Sequence, residues 1–297
     1  MLTGEMISQA AKDLHESMVA RRRDLHQHPE PGWTEFRTAS IVATTLTKLG
    51  YAVKVGADVV KQESMMGVPS AEKLAQEQER AISEGADPKW VEQMAGGMTG
   101  VVGTMVFSED GPTVGLRFDM DSNDVTEQCG DSHRPCREGF ASIHPGAMHA
   151  CGHDGHTTVG LALAELLAKW RGELKGTVKL VFQPAEEYGA GAQAMIADGV
   201  LDRFPRPDIV LGQHLTPLPA GVVGVRPGTQ MAASDGITVR LLGRGGHGSR
   251  PHATIDPIVM AAATVMRLQT IVSREIDPRE MAVVTVGAIH AGLKNNI

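Results

Sequence analysis

Four segments between residues 157 and 213 decide the fold: TTVGLALAELLAKW (157–170), TVKLVFQ (177–183), AGAQAMIA (190–197) and DIVLGQ (208–213). The first and third predict helices, whereas the second and fourth are short apolar runs typical of buried strands. Helices that alternate with strands predict an α/β sheet with helices on both of its faces. Ligands of such sheets gather where the strands end, and the chemically reactive residues of this chain follow those ends.

The residues before this alternation predict further helices and strands. Ser70 has the pattern of a helix cap, and Asp87-Pro88 has the cap-then-proline pattern of another helix start. A turn that contains Asp110-Gly111 joins two predicted strands. The predicted elements of this part are helices over 6–25 and 34–49 and strands over 100–107 and 113–118.

The pattern changes around Gly228. A predicted strand over 237–242 leads into a glycine-rich loop, Asp256-Pro257 opens a predicted helix that ends near Arg274, and a further strand is predicted over 282–289. We therefore expect a smaller, inserted α+β domain after the first sheet. The chain divides into predicted domains at 1–228 and 229–297.

Composition excludes several classes of protein. The 297 residues are 42% apolar and 21% charged, which is ordinary for a globular protein. A net charge of −7 argues against general affinity for nucleic acid. No apolar run approaches the ~20 residues that span a bilayer, and the first residues lack a secretory pattern, so we expect a cytoplasmic protein. Three cysteines are too few for a disulfide framework.

The densest group of reactive side chains is MHACGHDGH, residues 148–156. Cys151 and His153 are two residues apart on a glycine-relaxed turn, so both can face one cation. Thiolate and imidazole ligands suit zinc or similar divalent metals. The alternative is a polar helix start that Asp154 caps, with a buried thiol beside it.

Two adjacent carboxylates, Glu186 and Glu187, follow the predicted strand that ends at Gln183. One of them can bind a metal while the other takes a proton from water that the metal has acidified. Alone, the pair is better explained as an exposed helix start that the helix dipole favours. Together with the cysteine and histidine segment, the metal interpretation is preferred.

His214 follows the predicted strand that ends at Gln213. A single histidine after a strand is more often structural, but this one lies where ligands of the sheet would collect. Asp119 and Asp121 also follow a strand, so they can supply carboxylates that orient metal ligands. Capping of the loop through Asx turns explains these two aspartates equally well.

Together these motifs resemble the metallopeptidase-like amidohydrolases, a group that includes hippurate hydrolase, indole-acetyl-amino-acid hydrolases and aminoacylases. Within the group, residues 58–97 and the run 132–135 look like the A subunit of aminobenzoyl-glutamate hydrolase. The matching segments are 117–121, 149–156, 183–187, 212–214 and 245–252.

The resemblance implies a role for each matching residue. Glu186 would be the general base, and His247 would be offered by the lid domain to a partner subunit's site, where it steadies the oxyanion or the substrate. Asn296 would contact the substrate carboxylate. The residues implied to bind two divalent metal ions, manganese or zinc, are Cys151, His153, Glu187 and His214.

The resemblance further implies cleavage of an N-acyl amino acid, with aminobenzoyl-glutamate as the favoured substrate. Residues 1–228 would form the metal-binding catalytic domain, and residues 229–297 the lid domain through which a homodimer forms. A second hydrolase subunit is a possible partner. Family members continue beyond the position of Ile297 and bring a further metal-binding histidine, so we expect this chain to be a fragment with both domains incomplete. The rival interpretation is a catalytically incomplete fragment or a pseudo-hydrolase that acts as a ligand-binding, dimerising protein. A zinc deaminase is disfavoured because the second cysteine of its motif is missing after Pro135-Cys136.

Overall fold

A computed structural model describes residues 2–202, 205–229 and 233–297. The chain forms two compact units, Met1–Pro217 and Leu218–Ile297. The assignment of catalytic and lid roles to domains 1–228 and 229–297 stays a prediction. None of the described helices combines the length and the apolar character that crossing a membrane requires.

A five-stranded mixed sheet with the order β1-β2-β4-β3-β5 organises the first unit. β1 pairs antiparallel with β2 and β2 antiparallel with β4, whereas β3 pairs parallel with both β4 and β5. The predicted α/β class with a mixed sheet is confirmed. The strands are β1 Ala52–Val55, β2 Val101–Val106, β3 Thr113–Asp119, β4 Thr177–Gln183 and β5 Ile209–Gly212.

The turn that contains Asp110-Gly111 joins β2 to β3, but these two strands are not neighbours in the sheet. β4 lies between them, and Phe182 of β4 is opposite Val101 on one side and Phe118 on the other. A short turn between two strands therefore did not produce a hairpin here, because the apolar β4 pairs with both.

The described residues of the first unit also form eight α-helices. The helix predicted over 6–25 is divided at Leu14 into two helices. Both predicted caps are confirmed, because Ser70 accepts from the N–H of Lys73 and Asp87 accepts from the N–H of Lys89. The helices are α1 Gly4–Asp13, α2 His15–Gln27, α3 Phe36–Lys48, α4 Ala71–Ser83, α5 Pro88–Gln93, α6 Arg134–Arg137, α7 His153–Lys169 and α8 Gly191–Asp198.

β4 contributes side chains to both faces of the sheet. Leu180 and Phe182 pack in a core cluster that also contains residues of α3 and α7. Val181 points the other way, against a cluster that contains Ala194 and Met195 of α8. The predicted helices on both faces are therefore present. Full burial of each large apolar side chain contributes roughly 1.5–3 kcal/mol, so the two clusters together hold the sheet in place.

A disulfide joins Cys129 to Cys136, with their Cα atoms 5.7 Å apart. It closes a local loop of the first unit, a link that the cysteine count did not predict. Cys151 is a free cysteine.

The second unit contains α9 Pro257–Thr270, followed by a π-helical turn over Ile271–Glu275. Asp256 accepts from the N–H groups of Ile258 and Val259, as expected for a helix that begins at Asp256-Pro257. The strands predicted over 237–242 and 282–289 are wrong, since neither segment is a strand. A strand needs a hydrogen-bonded neighbour, and within the described residues of this unit the one β-bridge joins Arg244 to Ile255.

Candidate metal site

Several of the predicted site residues in the first unit lie at or just beyond the carboxyl ends of three strands. Asp119 ends β3, Glu186 and Glu187 follow β4, and His214 follows β5. Because β3, β4 and β5 are parallel, their carboxyl ends meet at the same edge. Parallel pairing therefore brings together residues that are far apart in the sequence.

The start of α7 lies beside this edge and carries Cys151 and His153. Gly152, which separates them, has a φ of +87°, a left-handed conformation that favours glycine. The side-chain oxygen of Asn123 accepts from the N–H groups of Ala150 and Cys151, both at 3.1 Å. These contacts fix the backbone that presents the Cys151 thiol.

His153 is buried at the centre of the group. Its Nδ1 lies 2.9 Å from the carbonyl oxygen of Asp121 and 3.2 Å from Oδ1 of the same residue, so Nδ1 carries the hydrogen that it donates. Nε2 has no hydrogen-bond partner and lies 3.7 Å from Glu187 Oε1 and 3.8 Å from Glu186 Oε2. A buried imidazole with one nitrogen fixed and the other facing carboxylates has the arrangement of a metal ligand.

Three overlapping sets of side chains could hold a cation, because within each set the ligand atoms lie within 4.8 Å of one another. His153 belongs to every set, and the Cys151 sulfur lies 3.8 Å from Nε2 of His214. Thiolate, imidazole and carboxylate ligands are those that zinc and similar divalent metals accept. The residues present therefore fit a metal centre. The sets are Cys151, His153 and His214; His153, Glu186 and Glu187; and Asp119, His153 and His156.

His156 belongs to the 148–156 motif but received no role from the sequence. Its Nδ1 bonds to the carboxylate of Asp119, and its Nε2 accepts from the N–H of Leu215 at 2.8 Å. Both ring nitrogens are therefore in use, and they link the end of β3 to the residue after His214. Asp119 also pairs with the Arg117 guanidinium at 2.7 Å.

The charges of the site favour a cation. Burial raises the pKa of the Cys151 thiol to about 12, and the neighbouring Glu187 and Glu186 carboxylates add to this effect. Burial alone would lower the pKa of His153, but its bond to Asp121 and the nearby carboxylates outweigh burial and raise the pKa to about 9. A divalent metal must displace the protons of the Cys151 thiol and the His153 imidazole to bind them. At low pH protons compete better with the metal, so metal binding should weaken as pH falls.

Two residues near the site, Asn123 and His149, received no role from the sequence, although His149 belongs to the 148–156 motif. Asn123 fixes the loop before α7, and a short polar side chain two residues beyond Asp121 is the signal that could have indicated it. His149 is buried, burial lowers its pKa to about 4, and neither ring nitrogen has a hydrogen-bond partner.

The other two predicted site residues, His247 and Asn296, lie in the second unit. Nδ1 of His247 is 2.8 Å from the Ser249 hydroxyl oxygen. The N–H of Gly248 donates to the carbonyl oxygen of Asn296 at 2.9 Å, so the segments that carry both residues are in contact within this unit. Their predicted roles toward substrate stay predictions.

Residues 115–292 match the family described as "Peptidase family M20/M25/M40". The indole-3-acetyl-aspartic acid hydrolase of Enterobacter agglomerans is 40% identical over 294 residues, which are 98% of this chain and 66% of that protein. The A subunit of the p-aminobenzoyl-glutamate hydrolase of Escherichia coli is 39% identical over 295 residues, which are 99% of this chain and 66% of that protein. This chain therefore spans slightly less than two thirds of the length of these relatives.

A solved structure agrees with this assignment. The YXEP protein of Bacillus subtilis, described as a dinuclear metal binding peptidase from the M20 family, is 31% identical with a TM-score of 0.55. The match covers 87% of this chain and 57% of that protein. The chain belongs to the M20/M25/M40 peptidase family, and the predicted resemblance to metallopeptidase-like amidohydrolases is confirmed.

Proposed function

We propose that this chain is the metal-binding part of a two-metal amidohydrolase that cleaves the amide bond of an N-acyl amino acid. The observation that carries the proposal is the unpartnered, buried Nε2 of His153, with the ligand atoms of Cys151, His214 and Glu187 gathered around it. Cys151, His153, Glu187 and His214 would hold two manganese or zinc ions.

The two relatives support a class of substrate. Indole-3-acetyl-aspartic acid and p-aminobenzoyl-glutamate, the compounds that their names specify, both join an aromatic acyl group to an acidic amino acid. We propose a substrate of this class, with aminobenzoyl-glutamate as the first candidate. A homodimer through residues 229–297, association with a second hydrolase subunit, and a cytoplasmic location are further parts of the proposal.

Each side chain has a defined task in the proposed mechanism. Bound divalent metal ions supply Lewis acidity and bring the pKa of water toward ~7. Glu186 removes the proton from the attacking water and later returns it to the leaving amine. Burial raises the pKa of Glu186 above its ordinary value. His247 from a partner subunit would steady the oxyanion, and Asn296 would contact the substrate carboxylate.

Replacement of Glu186 tests this division of tasks. We expect Glu186→Gln to lower the rate of hydrolysis of p-aminobenzoyl-glutamate by about 10²–10⁴-fold, because the general base is lost. Its metal content, measured by elemental analysis, should equal that of the wild type. The matched variant Glu187→Gln should lose both metal and activity.

Two results would count against the proposal. Loss of metal from Glu186→Gln would mean that this residue is a ligand and not the base. Hydrolysis of p-aminobenzoyl-glutamate by Glu186→Gln at the wild-type rate would contradict the catalytic part of the proposal.

A further inference from the structure

The backbone that presents Glu186 and Glu187 has an unusual conformation. Ala185, directly before this pair, has a φ of +48°. Among the described residues, the only other non-glycine residue with a positive φ is Trp33. A residue with a Cβ atom adopts this region at a cost in free energy and keeps it only where its surroundings hold it. Contacts around Ala185 must therefore stabilise this conformation.

The carboxylate of Glu35 supplies one of these contacts. Glu35 is fully buried, and its Oε1 accepts from the N–H of Ala185 at 2.7 Å, while its Oε2 accepts from the Thr99 hydroxyl at 2.6 Å. The carbonyl oxygen of Ala185 accepts from the N–H groups of Ala190 and Gly191. Both polar backbone groups of Ala185 are therefore paired, and the N–H depends on one side chain.

Glu35 is available for this contact because another residue caps its helix. Glu35 is the N-cap residue of α3, yet its side chain makes no capping hydrogen bond. Glu30 does so instead: its two carboxylate oxygens accept from the N–H groups of Arg37 and Thr38, each at 2.8 Å. Two fully buried glutamates thus bind backbone N–H groups, one at a helix start and the other beside the metal site.

The pair Glu186-Glu187 is held on its other side as well. The N–H of Glu187 donates to Oδ2 of Asp121 at 2.9 Å, and Asp121 is the residue that orients His153. We infer that Glu35 is a positioning residue for Glu186 and Glu187, because its buried carboxyl group fixes the Ala185 backbone and so sets the direction of both site carboxylates. This inference rests on the proposed roles of Glu186 as base and Glu187 as ligand.

The chemistry of Glu35 suggests a conservative replacement. Burial, reinforced by the charge of Asp121, raises the pKa of Glu35 well above its usual range, which favours the neutral acid. Glutamine has nearly the same shape as that acid. Its oxygen can accept from Ala185 while its amide donates to the Thr99 oxygen, whose hydroxyl then turns to the carbonyl of Gly97, 3.3 Å away. Alanine would instead leave the Ala185 N–H buried and unpaired.

Cobalt binding to the full chain tests the inference. Co²⁺ would be titrated into the wild type and into Glu35→Ala, Glu35→Gln and Glu30→Ala, with affinity and the ligand-field absorption spectrum as readouts. Glu35→Ala should bind Co²⁺ about 10–100-fold more weakly, with an altered spectrum, because a contact that supports a ligand has gone. Glu35→Gln should restore both readouts to wild-type values.

Glu30→Ala is the control for a merely structural effect, because it removes an equally buried acceptor of backbone N–H groups. We expect it to lower the melting temperature as Glu35→Ala does while leaving the Co²⁺ affinity and spectrum unchanged. Equal Co²⁺ binding by Glu35→Ala and Glu30→Ala would overturn the inference. A wild-type chain that binds no Co²⁺ would instead overturn the proposed metal site, on which the inference depends.

Should Glu35→Ala fail to fold, Thr99→Val provides the test. This change removes only the hydroxyl that holds the Glu35 carboxylate, so we expect a smaller loss of Co²⁺ affinity in the same direction. An affinity and spectrum equal to those of the wild type would then overturn the inference.

Discussion

His26 connects the start of α7 to Glu127, which lies two residues before the disulfide-bonded Cys129. Its Nδ1 lies 2.9 Å from Oδ2 of Asp154, and its Nε2 lies 3.1 Å from Oε1 of Glu127. Its ring also contacts the rings of His149 and Phe140. Each carboxylate has a second partner, Arg22 for Asp154 and His133 for Glu127. This buried histidine therefore lies between two carboxylates in a network of charges.

The position of His26 predicts a dependence of stability on pH. Burial alone would lower its pKa, but the bonds to Asp154 and Glu127 outweigh burial and raise the pKa above 6.5. A raised pKa in the folded state stabilises the protein fully below the unfolded value, and this contribution is lost as pH rises through the folded pKa. The loss of unfolding free energy caused by His26→Gln should therefore be largest below about pH 6.5 and smaller at higher pH.

Chemical denaturation of the wild type and of His26→Gln at a series of pH values would measure this difference. His15 is exposed, so His15→Gln is the matched control and should change stability little at any pH. An effect of His26→Gln that grows as pH rises would contradict the prediction.

The sequence predicted the residues around His153 because each lies in a dense motif or directly after a strand. It did not indicate Glu35, His26 or the link between Cys129 and Cys136. Glu35 contacts Ala185, 150 positions away, and His26 contacts Asp154, 128 positions away. Such pairings are determined by how helices and strands pack, and local spacing carries no sign of them.

Among the elements, β4 could be predicted with its correct bounds because its apolar residues fill both faces of the sheet. The order of the strands could not be predicted. β2 and β3 are consecutive in the sequence, but β4 lies between them in the sheet. β4 follows α7 in the chain and runs parallel to β3. The strands predicted over 237–242 and 282–289 had suitable composition, but composition does not supply the neighbour that a strand must pair with.

Packing of α7 on the sheet predicts the effect of a single methyl group. A Cβ atom at Gly160 would lie 2.8 Å from ring atoms of both Phe118 and Phe182, which are buried in the core and cannot easily move. Alanine favours helices over glycine, yet here we expect Gly160→Ala to lower the free energy of unfolding by about 1–3 kcal/mol through overpacking. Urea denaturation would measure the change.

Gly172 is the comparison for Gly160, because a Cβ atom there would meet no atom within 4 Å. Gly172→Ala should leave the unfolding free energy nearly unchanged. If Gly160→Ala were as stable as Gly172→Ala, α7 would not pack on the sheet as closely as described.

At the scale of the whole molecule, the two units differ in how much of their side chains they bury. The first unit contains both core clusters. Among the described residues of the second unit, 218–229 and 233–297, none is buried. Local opening costs the least free energy where few apolar contacts oppose it. The first unit should therefore open less readily than the second.

Hydrogen exchange followed by mass spectrometry would measure this difference. Peptides that cover β4 should exchange at least about tenfold more slowly than peptides that cover α9, because β4 pairs on both sides and lies between two core clusters. Equal protection of the two peptides would contradict this prediction.

The pairing of β4 with strands on both sides also bears on how this part of the gene can vary. Successive side chains of a strand point to opposite faces, so an in-frame deletion of one codon would reverse the facing of every later residue in β4. Loss of the Val178 codon would turn Lys179 toward the face that Leu180 and Phe182 now fill. This strand should therefore tolerate apolar substitutions of similar size better than insertions or deletions.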